Sequence, residues 1–371
     1  MAVTRQHVAR HTNLSRLIIG VSVVAAVIAI APIIAAAFGV SSAAVQPRTA
    51  FASAPSGNYV VVSRTEGTQD VIAVVWAENP GAVTELARVP HIEGMGTTGT
   101  VSPDGTRVAV VAVDAGTATR PVASLVTVDL ISGELFRAAL RIDPDQRPVW
   151  APDGESIVVT RTTRGDDSGS DVQVLRVALR GTEEALWTAH GVLGVYPVGF
   201  EASGALLAVT LDGAGSTVVR DGADLLQISG SFTRDWQLSP DGKELAFIEA
   251  DLSDGLRYVA RRVSFAGGAA SAQSLMADVS ALGAAWNPAT GAVAFGIEPG
   301  GSSEGVSVQA LRDGDGFDVP LGFAPDGSAL AVTHWSGEDF TQPGLPAIQV
   351  VDGGNRANIE GYTRFLGWAR R

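Results

Sequence analysis

A ten-residue pattern that recurs along the chain constrains its fold more than any other feature. SPDGTRVAVV occupies residues 102–111, APDGESIVVT 151–160, SPDGKELAFI 239–248 and APDGSALAVT 324–333. Weaker copies fill the gaps: APSGNYVVVS from Ala54, EASGALLAVT from Glu201 and NPATGAVAFG from Asn287. The turn glycines are Gly57, Gly105, Gly154, Gly204, Gly242, Gly291 and Gly327, at successive spacings of 48, 49, 50, 38, 49 and 36 residues. Proline pre-sets φ at the first central turn position, aspartate accepts from nearby backbone N–H groups, and glycine takes the positive φ that follows. Between apolar runs, such a sequence reads as a tight hairpin turn.

The flanks repeat as well. Two residues before the proline position stand Val101, Trp150, Phe200, Leu238, Trp286 and Phe323. Four residues after the glycine stand Ala109, Ala208, Ala246 and Ala331, where a small side chain suits a crowded layer between sheets. Two further strand-like runs follow in most copies: residues 123–130 and 134–140, 171–179 and 185–190, and 257–265 and 272–278. With the apolar strand before the turn, each repeat supplies four strands in roughly 40–50 residues, the unit of a β-propeller blade. The expected fold is all-β, a single propeller of seven four-stranded blades. Six is the alternative count if one weak copy is spurious.

The end of the chain predicts how the ring closes. Residues 365–369, FLGWA, resemble the pre-turn strands around Trp150 and Trp286, but no turn follows them. The expectation is that this segment pairs beside residues 58–63 and that Trp368 fills the slot occupied elsewhere by Trp150 and Trp286.

The Ser/Ala-Pro-Asp-Gly turn followed by an alanine-containing strand resembles the WD-repeat-like propeller repeat of the TolB family, also found in propellers of prolyl oligopeptidase-type peptidases. The likeness covers residues 50–371. It departs from TolB in leaving no room for a preceding α/β domain, and from the peptidases in lacking a hydrolase domain. What it implies is an isolated propeller of the kind associated with binding, since one fold hosts many functions.

Residues 17–40, LIIGVSVVAAVIAIAPIIAAAFGV, carry no charge and would span about 36 Å as a helix. That is enough to cross a bilayer core. Arg5, Arg10 and Arg16 precede the run, and no acidic residue occurs before Glu66. The positive-inside rule then places residues 1–16 in the cytoplasm and the propeller outside. The expected organisation is a short cytoplasmic segment (1–16), a transmembrane signal anchor (17–40), a linker (41–49) and the propeller (50–371). The alternative is a signal peptide cleaved after Ser42-Ala43-Ala44, which would leave the protein secreted.

Composition bears on partners. With 26 basic and 39 acidic residues the chain carries −13, which argues against nucleic acid and favours basic or cationic partners. There is no cysteine, so disulfides, thiolate metal sites and cysteine nucleophiles are excluded.

Candidate chemistry is sparse. Gly301-Ser302-Ser303-Glu304-Gly305 matches G-x-S-x-G formally, but it lies between strand runs and not at a strand-to-helix turn. Asp313, Asp315 and Asp318 lack the spacing of a calcium loop and read as a solvated acidic turn, as do Asp166, Asp167 and Asp171. Arg164-Gly165-Asp166 reads as an exposed loop tripeptide. His91, His190 and His334 do not fall at metal-ligand spacing, although His91 and His190 both follow or end outer strands and could share a face. Trp76, Trp187 and Trp335 lie outside the pre-turn column and are the better candidates for a ligand platform. No catalytic, cofactor-binding or metal-ligating residue is assigned. The expectation is a membrane-anchored extracytoplasmic propeller acting as a non-catalytic scaffold, with another cell-envelope protein as partner. The rivals are a propeller lyase or hydrolase working in the central channel, and an accessory subunit of a separate peptidase.

Overall fold

The computed structural model describes residues 51–166, 169–253, 256–265, 273–275, 279–298, 309–311 and 316–371. These residues form a β-propeller. The segment expected to cross the membrane lies outside them, and no helix among the described residues is long and apolar enough to do so.

Seven sheets follow one another along the chain, six of four strands and one of three described strands. Sheet 1 consists of Arg364–Arg370, Asn58–Glu66, Gln69–Trp76 and Val83–Pro90, from the axis outward. Sheet 2 comprises Thr98–Val101, Arg107–Thr117, Arg120–Asp129 and Leu135–Ile142. Sheet 3 comprises Val149–Trp150, Ser156–Asp166, Gly169–Ala178 and Glu183–Val192. Sheet 4 is built of Gly194–Phe200, Leu206–Asp212, Gly215–Arg220 and Ala223–Ser229. Sheet 5 is built of Thr233–Leu238, Glu244–Asp251, Arg257–Ser264 and Gln273–Ser274. Sheet 6 contains Ala281–Trp286, Val293–Ile297 and Gln309–Leu311. Sheet 7 contains Phe317–Phe323, Ala329–Trp335, Pro346–Asp352 and Asn355–Asn358. Pairing is antiparallel except between Val293–Ile297 and Gln309–Leu311.

In sheets 2 to 7 the repeated turns join the first and second strands, as the sequence predicts. In sheet 2, Gly105 N–H donates to Ser102 O at 2.9 Å, and Asp104 Oδ1 accepts from Thr106 N–H at 3.0 Å. Gly105 has φ 72° and Gly242 φ 71°, the left-handed region that only glycine enters freely.

The core lies between sheets. Each of seven apolar clusters fills the gap between two successive sheets, and one of them joins sheet 7 to sheet 1 through Val60, Val62, Ala331 and Trp368. Ala109, Ala208, Ala246 and Ala331 are fully buried in these layers. The ring closes where Asn58 pairs with Arg370, Val60 with Trp368 and Ser63 with Arg364. The C-terminal strand is thus the innermost strand of the first sheet. Arg371 adds a clasp, exchanging backbone hydrogen bonds of 3.0 Å with Gly57 and donating from its side chain to the carbonyl of Phe51 at 2.7 Å.

The three tryptophans of the pre-turn column do one job. Trp150 Nε1 donates to Thr100 O at 2.9 Å, Trp286 Nε1 to Gln237 O at 2.9 Å, and Trp368 Nε1 to Gly322 O at 2.7 Å. Each indole therefore ties its sheet to the innermost strand of the sheet before it.

Candidate functional site

The topology gives the ring two unlike faces. Every innermost strand starts at the crossover from the preceding sheet and ends at a glycine turn, or in sheet 1 at Arg371. One face therefore carries the turns. The other, the crossover face, carries the crossovers and the loops between second and third strands.

Acidic side chains brace the crossover face. In sheet 1, the buried Asp70 accepts from Thr65 Oγ1 at 2.6 Å and from Thr97, and faces His91 Nδ1 at 3.2 Å. In sheet 3, Asp143 accepts from Thr160 Oγ1 at 2.7 Å, and Asp171 pairs with His190 Nδ1 at 3.0 Å. In sheet 5, Glu249 holds Ser229 and Arg261, the latter at 2.6 Å. In sheet 7, Asp318 is fully buried, 3.0 Å from His334 Nδ1 and paired with Arg356. A buried carboxylate is costly unless paired and hydrogen-bonded, and these are.

This corrects several expectations. Asp318 is no part of a solvated turn: it is the cross-strand partner of His334 inside sheet 7, because its strand begins at Phe317 and not after it. Asp313, Asp315, Asp167 and residues 301–305 lie outside the described residues. No cluster of metal-ligating side chains occurs among the described ones. The backbone of Arg164-Gly165-Asp166 is the end of a strand, paired with residues 169–171, and not a loop. The three histidines are each bound to an aspartate of their own sheet, a pairing between strands that the sequence reading missed. The only trace of it in the sequence is an aspartate 16–21 residues before each histidine, the length of a hairpin.

The channel opens on the crossover face as a cavity of about 450 Å³. Five of the seven sheets and the crossover between sheets 2 and 3 line it, with Arg147, Arg234, Asp235, Trp335, Arg364 and Phe365 as its charged and large side chains. It continues at Arg147 into a second cavity of about 300 Å³ that runs toward the turn face past Trp286 and Trp368. Of the tryptophans proposed as ligand platforms, only Trp335 reaches the channel, its ring stacked against Phe317 at 6.3 Å. Trp76 packs between sheets 1 and 2, and Trp187 packs between sheets 3 and 4.

Arg147 comes from the crossover 143–148. That crossover is held to sheet 2 by Thr98 Oγ1 donating to Gln146 O at 3.0 Å and by Arg147 Nε donating to Gly99 O at 3.2 Å. Enclosure by the ring lowers the Arg147 pKa, but the residue is exposed to the channel and an arginine stays charged. Arg234 Nε lies 3.2 Å from Asp235, which also accepts from Gly283 N–H at 3.0 Å. Asp235 has φ 54°, a conformation costly for a residue with a side chain. Its place in the innermost strand is taken one sheet later by Gly283, φ 66°.

The same face exposes apolar loop tips. Leu193, Phe232, Leu252, Leu256 and Leu345 are 71%, 53%, 68%, 60% and 79% exposed. The first four belong to the loops of sheets 4 and 5. The crossover carrying Phe232 is laced to the strand end that leads to Leu252 and Leu256: Ala250 N–H donates to Phe232 O at 2.9 Å and Ser231 Oγ to Ala250 O at 2.7 Å.

No family model and no curated protein matches the sequence. Solved structures do match by fold. TolB from Acinetobacter baumannii aligns with a TM-score of 0.52 at 14% identity, over 85% of this chain and 67% of that one. A puromycin-hydrolyzing peptidase from Mycobacterium tuberculosis aligns at 0.51 and 14%, over 81% of this chain and 53% of its own. The propeller domain of the Trilobed protease from Pyrococcus furiosus aligns at 0.51 and 9%, over 84% and 98%. The chain thus spans about half of the peptidase and nearly all of an isolated propeller. At these identities the likeness concerns fold, and the fold is that of a TolB-like β-propeller.

Proposed function

We propose that this chain is a seven-bladed binding propeller of the cell envelope, anchored by residues 17–40, with its crossover face turned to another envelope protein. The observation that carries the reading is the group of exposed apolar side chains Phe232, Leu252 and Leu256 on two loops that hydrogen bonds hold together, with Leu193 exposed on the crossover into sheet 4. Large apolar side chains gathered on one ordered face mark an interaction surface. The role of the histidines supports binding over catalysis. His91 and His334, the two shielded ones, are committed to Asp70 and Asp318 inside their own sheets and are not presented to a substrate. The count of seven takes sheet 6 as a blade, and its packing between sheets 5 and 7 through Phe295 and Ala294 supports that reading.

Site-specific photo-crosslinking in the full-length protein, in its native envelope, tests this. A photoreactive residue at 232 or 256 should give one defined protein adduct, and the same probe at Asp153 on the turn face should give none. Adducts only from the turn face would overturn the reading. Anchoring is checked separately. The intact chain should stay in the membrane fraction after a high-salt wash, and a soluble form beginning near Val45 would show cleavage instead.

A further inference from the structure

The acidic protein has a basic hole in it. Among the described residues lining the channel mouth are three arginines, Arg147, Arg234 and Arg364, against the single carboxylate of Asp235. The chain as a whole carries −13. The arginines come from positions 87 and 130 residues apart, so their convergence is a product of ring closure and not of a local basic run.

Their surroundings are shaped for them. Arg147 spends one donor, Nε, on Gly99 O, and its terminal nitrogens have no acceptor among the described residues. Arg364 lies against the crossover from sheet 1 to sheet 2. A methyl group on Gly96 would come within 2.5 Å of Arg364 Nη2 and 2.7 Å of its Cζ, so the guanidinium lies directly over Gly96. Asp235 holds a costly backbone conformation that lets its carboxylate bind Gly283 N–H and Arg234 together. Arg234 is thus partly neutralised, whereas Arg147 and Arg364 face the cavity without a carboxylate partner among the described residues. Trp335 and Phe365 supply flat apolar walls beside them.

We propose that the channel mouth is a binding site for a small organic oxyanion, its carboxylate or phosphate group held by Arg147 and Arg364 and its ring or chain lying against Trp335 and Phe365. A guanidinium offers paired donors that match both oxyanions, which is why either group fits the arginines. The cavity, about 450 Å³, is of the size that takes a ligand of monosaccharide dimensions or somewhat larger. The inference deepens the reading of the chain as a binding propeller, but it concerns the channel and not the apolar loop tips.

The test is calorimetric titration of the full-length protein in neutral detergent with glucuronate, inorganic phosphate and glucose. Glucose shares the ring of glucuronate and lacks its charge. At least one anion should bind, and glucose should bind on the order of 10-fold more weakly or not at all. Glucuronate binding above phosphate would point to an organic acid, and the reverse to a phosphate-bearing ligand. R147Q and R364Q should each weaken the anion by about 10-fold, with R147K intermediate because it keeps the charge and loses the fork. R88Q, which alters an arginine on the outermost strand of sheet 1, should leave binding unchanged, and thermal melts confirm that each variant is folded. Equal binding of glucose and glucuronate, binding indifferent to R147Q and R364Q, or no binding of either anion at millimolar concentration would overturn the site. Crosslinking from residue 232 reads the protein interface independently. Its loss with anion binding intact removes the scaffold and keeps the site, and the converse removes only the site.

Discussion

Trp368 Nε1 donates to the carbonyl oxygen of Gly322 at 2.7 Å, so the last tryptophan of the chain ties to sheet 7 the one innermost strand that only hydrogen bonds, and no turn, hold to the rest of its sheet. Trp150 and Trp286 make the same bond from strands that a glycine turn joins covalently to the rest of their own sheets. The seam tryptophan therefore carries more. Trp368→Ala should destabilise by about 3–5 kcal/mol through the cavity it leaves, and Trp368→Phe by about 2 kcal/mol. Deleting residues 365–371 should lower the melting temperature far more and open the first sheet to proteolysis, because Asn58–Glu66 would become an unpaired edge. A truncated chain that melts like the intact one would refute closure by this strand.

The repeated turns are alike in backbone and unlike in surroundings. Gly154 and Gly242 have φ 69° and 71°. A methyl group on Gly154 meets nothing within 4 Å, whereas one on Gly242 would lie 2.9 Å from Glu201 Cα and 3.0 Å from Ala202 N in the neighbouring turn. Gly154→Ala should cost about 1–2 kcal/mol, the strain of a left-handed alanine alone. Gly242→Ala should cost more, since the backbone of sheet 4 must also move. Equal losses in urea denaturation would show that the turns do not pack on one another.

The clamps of the crossover face separate a structural histidine from a surface one. Asp70→Ala removes the acceptor shared by Thr65, Thr97 and His91, all in or against a buried site, and should cost about 3 kcal/mol. His190 is 74% exposed beside Asp171, and His190→Ala should stay within about 0.5 kcal/mol of the parent. Thermal melts of the two variants decide the point. A costly His190→Ala would mean that the exposed pair braces its sheet as the buried one does.

How legible each feature was follows from how local its cause is. The turn at Ser102-Pro103-Asp104-Gly105 is written in four adjacent residues, each with its own conformational reason, so the strands on either side could be placed to within a few residues. Ring closure was legible because FLGWA repeats the local form of a pre-turn strand. The pairs His91–Asp70 and His334–Asp318 were not, because which side chains meet across two strands depends on register, and a one-residue slip sends every side chain to the other face. The convergence of Arg147, Arg234 and Arg364 is further still from local sequence, since only the circuit of the ring brings one crossover and two innermost strands to one mouth.

The seam also has an acid-sensitive tie. Asp326, in the turn of sheet 7, accepts from Ser328 Oγ at 2.6 Å, from Asn58 Nδ2 of sheet 1 at 2.9 Å and from Ser328 N–H at 3.0 Å. The Ser328 hydroxyl first, and then the Asn58 amide, hold its pKa down to about 2, below the ordinary 3.8. A carboxyl whose pKa is lower in the folded state stabilises the fold fully above its ordinary value, and the contribution fades as pH falls through the folded value. The tie should therefore be intact at neutral pH and weaken between about pH 4 and pH 2. The site is exposed, so the effect on global stability is modest. Asp251 is also lowered to about 2, by Ser253 and Arg257, but within a single loop of sheet 5. Asp326→Asn and Asp251→Asn should both flatten the acid limb of the stability curve. Only Asp326→Asn should speed hydrogen exchange in Arg364–Arg370 at neutral pH. If both variants leave that strand equally protected, the Asn58–Asp326 contact does not hold the seam.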